Sequence, residues 1–170
     1  MRAKGIAAVA AVSYVALIAA SNWLIVRYGL IWGLIPAGTF TAGLVLAARD
    51  WVRESAGLAG ALGCVALGAT LSWFMATPQL ALASGIAFAV SELADTAVYE
   101  PLRKRGKVRA LAWSNAVGSV VDSALFLALA GFPLWPAMIG QVAVKWVMCV
   151  GLPLAAWAAW RMVRRPALAD

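Results

Sequence analysis

Seven polar residues, set in three otherwise apolar stretches, could do chemistry in this chain. Glu92 and Asp95 stand three residues apart, Asn115, Ser119 and Asp122 follow at i, i+4 and i+7, and Gln141 and Lys145 are four apart. Each set falls on one face of a helix, and Phe126 extends the second stripe by one turn. Asp122 and Lys145 each lie eleven residues in from the end of an apolar stretch. At about 1.5 Å of rise per residue that is roughly 16 Å deep, near the middle of a hydrocarbon core about 30 Å thick. A charge at that depth costs on the order of 3 kcal/mol even on the mildest insertion scale, so it marks a functional site by default. Glu92, Asp95 and Asp122 against Lys145 leave two negative charges unmatched. That excess suits a ligand that donates hydrogen bonds, or a proton carried with it. The plain alternative is that Asp122 and Lys145 staple two helices together while the basic run from Arg103 neutralises Glu92 and Asp95. A staple explains one pair but not three polar stripes.

Composition sets the environment of the elements that hold these residues. Apolar residues make up 64% of the 170 positions, charged residues 12%, and the mean hydropathy is +0.87. A soluble domain carries about twice that share of charge. The chain therefore reads as one all-α, polytopic membrane domain over 1–170, with no room for a second, soluble one. The two cysteines, Cys64 and Cys149, both fall in apolar segments and read as packing residues. The sequence contains no histidine, which argues against zinc, haem and histidine-based acid–base work. It also shows no phosphate-binding loop, metal-ligand run or nucleophile–base pair, so neither an enzyme nor a cofactor is expected.

Six hydrophobic segments are expected to cross the membrane as helices: about Gly5–Val26, Leu30–Ala48, Ala56–Met75, Gln79–Tyr99, Leu111–Gly131 and Leu134–Trp160, the last tilted or broken at Pro153. The joints are Arg27–Gly29, Arg49–Glu54, Thr77–Pro78, Glu100–Arg109 and Phe132–Pro133. Twelve of the fourteen cationic residues fall on one side: Arg2, Lys4, Arg49, Arg53, Arg103, Lys104, Arg105, Lys107, Arg109, Arg161, Arg164 and Arg165, with only Arg27 opposite. The positive-inside rule then puts both termini in the cytoplasm. Topology and anionic lipid account for the net charge of +7 without a nucleic-acid partner. The basic start and Ala-Ala-Ser end of the first segment also fit a signal peptide, whose removal would leave the later orientation unchanged. Most of the nine tryptophans sit near segment ends as interfacial anchors. Trp146 lies at midplane depth, facing either a planar ligand or lipid. Ala56, Gly60, Cys64, Gly68 and Ser72 form a stripe of small residues on the third segment, which lets another helix approach closely. Asp50 and Glu54 belong either to a cytoplasmic gate or to simple pairs with Arg49 and Arg53.

Several motifs together resemble the VUT family of vitamin-uptake-like membrane proteins. They are Ser21-Asn22-Trp23; Pro36 with Phe40, then Asp50 and Glu54; Ser91-Glu92-Leu93-Ala94-Asp95 with Tyr99 through Pro101-Leu102-Arg103; Ser114-Asn115 through Ser119; Val121-Asp122-Ser123 with Phe126; and Lys145 with Pro153. The stretch from the fourth to the fifth segment is the most specific, because acids at fixed helical spacing are rare in membrane spans. The resemblance implies a multi-pass transporter of the bacterial inner membrane that imports a queuosine precursor, 7-cyano- or 7-aminomethyl-7-deazaguanine. The substrate would sit at a midplane site formed by the fourth, fifth and sixth segments. A carboxylate among Glu92, Asp95 and Asp122 would face the paired N–H donors of the guanine-type edge. Lys145, Gln141 and Asn115 would reach its carbonyl and ring nitrogens. Trp146, Phe126 or Tyr99 would stack on the ring, and Ser119 and Asn22 would complete the set. The expected partners are the small molecule and the lipid bilayer, with energising subunits or further copies of the chain possible. The alternatives are a substrate-binding subunit of an energy-coupling-factor transporter, docked through the small-residue faces of the first and third segments, and an importer of another small planar heterocycle or vitamin.

Overall fold

The computed structural model describes residues 2–151 and Ala155. Helix α1 (Arg2–Tyr28) leads into a two-stranded antiparallel hairpin, β1 (Leu30–Ile31) and β2 (Ile35–Pro36). Then come α2 (Thr39–Met75), α3 (Pro78–Leu102), a 3-10 turn (Arg103–Arg105), α4 (Lys107–Ala130), α5 (Ala137–Trp146) and a π-helical turn (Val147–Gly151). Four stretches are long and apolar enough to cross a membrane: Ala7–Tyr28, Thr39–Met75, Pro78–Arg105 and Arg109–Ala130. Ala137–Gly151 is a shorter apolar helix.

Helix α2 is not one rod. Ser21 at the far end of α1 shares a hydrogen bond of 2.8 Å with Thr41, and its neighbour Asn22 donates to Ser72 at 2.9 Å. In a straight helix Thr41 and Ser72 would be about 46 Å apart. The chain reverses at Gly57, whose φ of 68° and ψ of −173° lie outside the helical region and suit a residue without a Cβ. Residues 39–56 and 58–75 are thus antiparallel arms, each about 27 Å long. Among the described residues the bundle has six helical arms, which alternate in direction. The start of α1, Gly57, Arg103 and Cys149 gather at one end, around a common cleft.

Two expectations are corrected here. The second segment does not begin its helix at Leu30. Gly29 and Gly33 adopt positive φ, Pro36 lacks an N–H, and the chain forms the small hairpin before α2 starts at Thr39. The joint expected at Arg49–Glu54 is helical, because the polar side chains there find partners inside the bundle and the break moves to Gly57. The other joints fall near their expected places. Thr77 caps α3 by accepting from the Leu80 N–H, with Pro78 in the first turn, and Gly131 ends α4 in the left-handed conformation. The break expected at Pro153, the anchors Trp157 and Trp160 and the tail cations lie outside the described residues.

The outside of the bundle is apolar, with Val12, Leu67, Phe74, Leu82, Val120 and Ile139 among its exposed side chains. Much of the polar chemistry is inside: Asn22, Arg49, Glu92, Asp95, Asp122 and Lys145 are all at most 2% exposed. Apolar packing surrounds them, chiefly Tyr14, Ile18, Val45, Val52, Val65 and Phe88. The second half of the small-residue stripe packs within the fold, where Gly68 abuts Ile18 and Ser72 bonds Asn22, while Ala56 at its start is exposed.

Close crossings depend on glycine. A Cβ at Gly43 would contact the Met148 Cβ and stand 3.1 Å from the Lys145 Cα, whereas one at Gly63 would meet nothing within 4 Å. Gly43→Ala should therefore destabilise the protein by about 1–3 kcal/mol. Gly63→Ala should be neutral or slightly stabilising. Thermal unfolding in detergent checks the difference, and equal midpoints for the two variants would contradict the packing.

Candidate functional site

The buried charges form two groups at different heights. Toward the end marked by the Ser21–Thr41 bond, the Lys145 ammonium donates to Asp122 Oδ2, to Ser123 Oγ at 2.9 Å and to Gln141 Oε1 at 3.2 Å. Helix α4 supplies Asp122 and Ser123 and α5 supplies Gln141 and Lys145, so the pair does join those helices. It also faces a cavity. Ser21, Asn22, Ile25, Gly38, Thr39, Ala42, Ser84, Phe88, Asp122, Phe126, Gln141 and Lys145 line a void of about 20 Å³, room for roughly one water. Two polar atoms of this wall have no hydrogen-bond partner, the acceptor Asn22 Oδ1 and the donor Gln141 Nε2. Buried polar atoms are nearly always paired, so a wall carrying an idle acceptor, an idle donor and two phenyl rings is suited to a polar aromatic ligand.

The second group centres on Arg49. Its Nη2 donates to Asp95 Oδ1 at 2.9 Å, Asn115 Oδ1 at 2.7 Å and Asp50 Oδ1 at 3.3 Å, and its Nε lies 3.1 Å from Glu92 Oε2. Asn115 in turn donates to Asp50 Oδ2 at 3.2 Å. One turn on, Arg53 donates to Asp95 Oδ2 and stacks 5.0 Å over the Tyr99 ring. Below it opens a vestibule of about 860 Å³, whose wall includes Asp50, Arg53, Glu54, Asp95, Tyr99, Glu100, Arg103 and Cys149.

Of the expected site residues, the structure brings Asn22, Asp122, Phe126, Gln141 and Lys145 to the small cavity, and Asp95 and Tyr99 to the vestibule. Glu92 and Asn115 lie in the Arg49 layer between them. Ser119 is buried, with its hydroxyl turned back onto the Ala116 carbonyl. Trp146 is 37% exposed and lines neither void. The expected single chamber is instead two voids with an ionic layer between. The expected surplus of two negative charges is corrected too. Arg49 and Arg53, assigned from sequence to a loop, are the counter-ions of Glu92 and Asp95, while Arg103 pairs with Glu100 at 3.3 Å. The signal for them was present in the spacing: Arg49 and Arg53 are an i, i+4 pair, as an opposite face for Glu92 and Asp95 would require. Phe88 and Ser84, one and two turns before Glu92, were also missed because neither is unusual in an apolar helix. Among the described residues, no group of three or more His, Cys, Asp or Glu side chains is placed to hold a metal ion.

Removing one member of the Asp122–Lys145 pair leaves the other charged and buried, at a cost of about 3–5 kcal/mol. Asp122→Asn should therefore lower the unfolding midpoint sharply, and Asp122→Asn combined with Lys145→Met should recover most of the loss. A double variant no more stable than the single one would contradict a direct buried pair.

A model of the family described as "Putative vitamin uptake transporter" matches residues 6–158. No curated protein and no solved structure matches the chain.

Proposed function

Because the chain belongs to the family of putative vitamin uptake transporters, we propose that it imports a queuosine precursor, 7-cyano- or 7-aminomethyl-7-deazaguanine, across the bacterial inner membrane. The chain crosses six times in this reading, each arm of α2 counting as one crossing, with both termini in the cytoplasm. The gathering of Arg103, Lys104, Arg105 and Arg109 at the end where α1 begins supports that orientation.

The observation that carries the substrate assignment is the pair of idle polar atoms, Asn22 Oδ1 and Gln141 Nε2, on a wall that also holds Asp122, Lys145, Phe88 and Phe126. A 7-deazaguanine presents paired N–H donors on one edge and a carbonyl beside them. The Asp122 carboxylate and Asn22 Oδ1 accept from the donors, Gln141 Nε2 and the Lys145 ammonium donate to the carbonyl, and the phenyl rings take the heterocycle's faces. Helices α4 and α5 supply the charged pair as expected, while α1, α2 and α3 complete the wall. The void is much smaller than the ligand, so binding must part the helices. The bundle pairs its buried charges internally, and Gly68 and Ser72 of the small-residue stripe pack within it, which favours transport by the chain alone over a role as the binding subunit of a larger complex.

In a bacterial strain that cannot make the precursor and lacks its own importer, this protein should restore queuosine in tRNA when either deazaguanine is supplied at low concentration. Gln141→Ala and Asn22→Ala should each reduce the restored level at least about tenfold, the value of one lost hydrogen bond in the site. Full restoration by both variants would remove the assigned site. No restoration by the unaltered protein, with uptake of another heterocycle in vesicles, would move the substrate elsewhere in the vitamin-like class.

A further inference from the structure

The cavity and the vestibule share no lining residue, and what separates them is the Arg49 layer. Three of the helices that supply both walls show the same order. On α2 it runs Ala42, Arg49, Arg53; on α3, Phe88, Glu92, Tyr99; on α4, Asp122, Asn115, Leu111, with the first of each set on the cavity and the last on the vestibule. The layer is dry, with the side chains of Arg49 and Glu92 at 2% and 0% exposure.

We propose that this layer is the gate through which the substrate passes between the cavity and the vestibule, and that it opens when the Arg49 guanidinium leaves Glu92, Asp95 and Asn115 and turns toward Asp50 and the vestibule. The inference rests on reading the chain as a transporter, though not on which substrate it carries. Three features fit a layer that moves. Arg49 Nε and Nη1 and both Glu92 carboxylate oxygens lack hydrogen bonds, so charge alone holds the Glu92 contact, and opening the layer breaks two hydrogen bonds, those from Nη2 to Asp95 and Asn115. Asp50 is already within 3.3 Å of Arg49 and its carboxylate is 21% exposed, which gives the guanidinium a partner on the wet side. Gly118 leaves clearance: a Cβ there would stand 3.4 Å from Arg49 Nη1 and 3.5 Å from the Asp95 Cβ. A cavity of about 20 Å³ cannot admit a bicyclic ring while the layer is closed. Release of the substrate toward the vestibule therefore requires the layer to open, and the room gained comes from joining the two voids.

Thiol labelling in lipid nanodiscs tests this without any substrate. Ser84 lines the cavity, and Glu54 is an exposed residue of the vestibule wall. In a background of Cys64→Ala and Cys149→Ala, a charged methanethiosulfonate should modify the thiol introduced by Glu54→Cys readily and the one introduced by Ser84→Cys slowly. Adding Glu92→Gln, or separately Asn115→Ala to remove the 2.7 Å acceptor without changing charge, should raise labelling at position 84 relative to position 54 by at least about tenfold. Unchanged ratios in both variants would overturn the gate. So would failure of both to accumulate as folded protein, because a layer that cannot be loosened is a structural staple. Gating that responds as stated without restored tRNA queuosine would leave the gate standing and remove the substrate. Restored queuosine with unchanged labelling would do the reverse.

Discussion

The cost of keeping a guanidinium out of water organises this molecule. Arg49 is 1% exposed in a chain whose surface is mostly hydrocarbon, and an uncompensated cation there would cost several kcal/mol. Compensation needs acceptors from more than one helix. Asp95 and Glu92 come from α3, Asn115 from α4 and Asp50 from α2 itself. The requirement fixes the rotation of α2 against α3 and the height of α4 against both. Apolar packing alone would not set either, because lipid competes on nearly equal terms for apolar faces.

With that layer placed, the rest of the site follows along the helices. One to two turns from Asn115 on α4 comes Asp122, and its partner Lys145 arrives from α5 where Gly43 lets α5 approach the first arm of α2. One turn before Glu92 comes Phe88, which lines the small cavity together with Phe126. The two groups of ion pairs do different physical work. Lys145 is surrounded by three acceptors and closes the wall of the cavity. Arg49 makes its three hydrogen bonds through Nη2 alone and is held to Glu92 by charge, and it closes the passage out.

Much of this was legible in the sequence. Acids at helical spacing inside apolar stretches point inward because any other direction is expensive, and Asp122, Gln141 and Lys145 do share one wall. The family, the all-α class and the membrane setting were legible for the same reason, since hydropathy and motif spacing survive without tertiary information. What was not legible depends on where the chain turns. A pair of arginines with two acids nearby looks like a solvated joint, and only the reversal at Gly57 shows that Arg49 and Arg53 belong to the helix before it. Once they are inside, the surplus of negative charge read from the sequence disappears, and one expected chamber becomes two voids. Trp146 lies outside both voids for a simpler reason: adjacent helical residues diverge by about 100°, so Lys145 facing in turns Trp146 away.

The account stands on a planar, hydrogen-bonding ligand held between Phe88 and Phe126 against Asp122. An experimentally determined structure of the protein in lipid with 7-cyano-7-deazaguanine bound tests it most directly. The account predicts the heterocycle between the two rings, its donor edge on Asp122 and Asn22 and its carbonyl toward Gln141 or Lys145. A ligand resting in the vestibule with Asp122 and Lys145 still closed on each other, or Arg49 turned outward to the acyl chains, would contradict it.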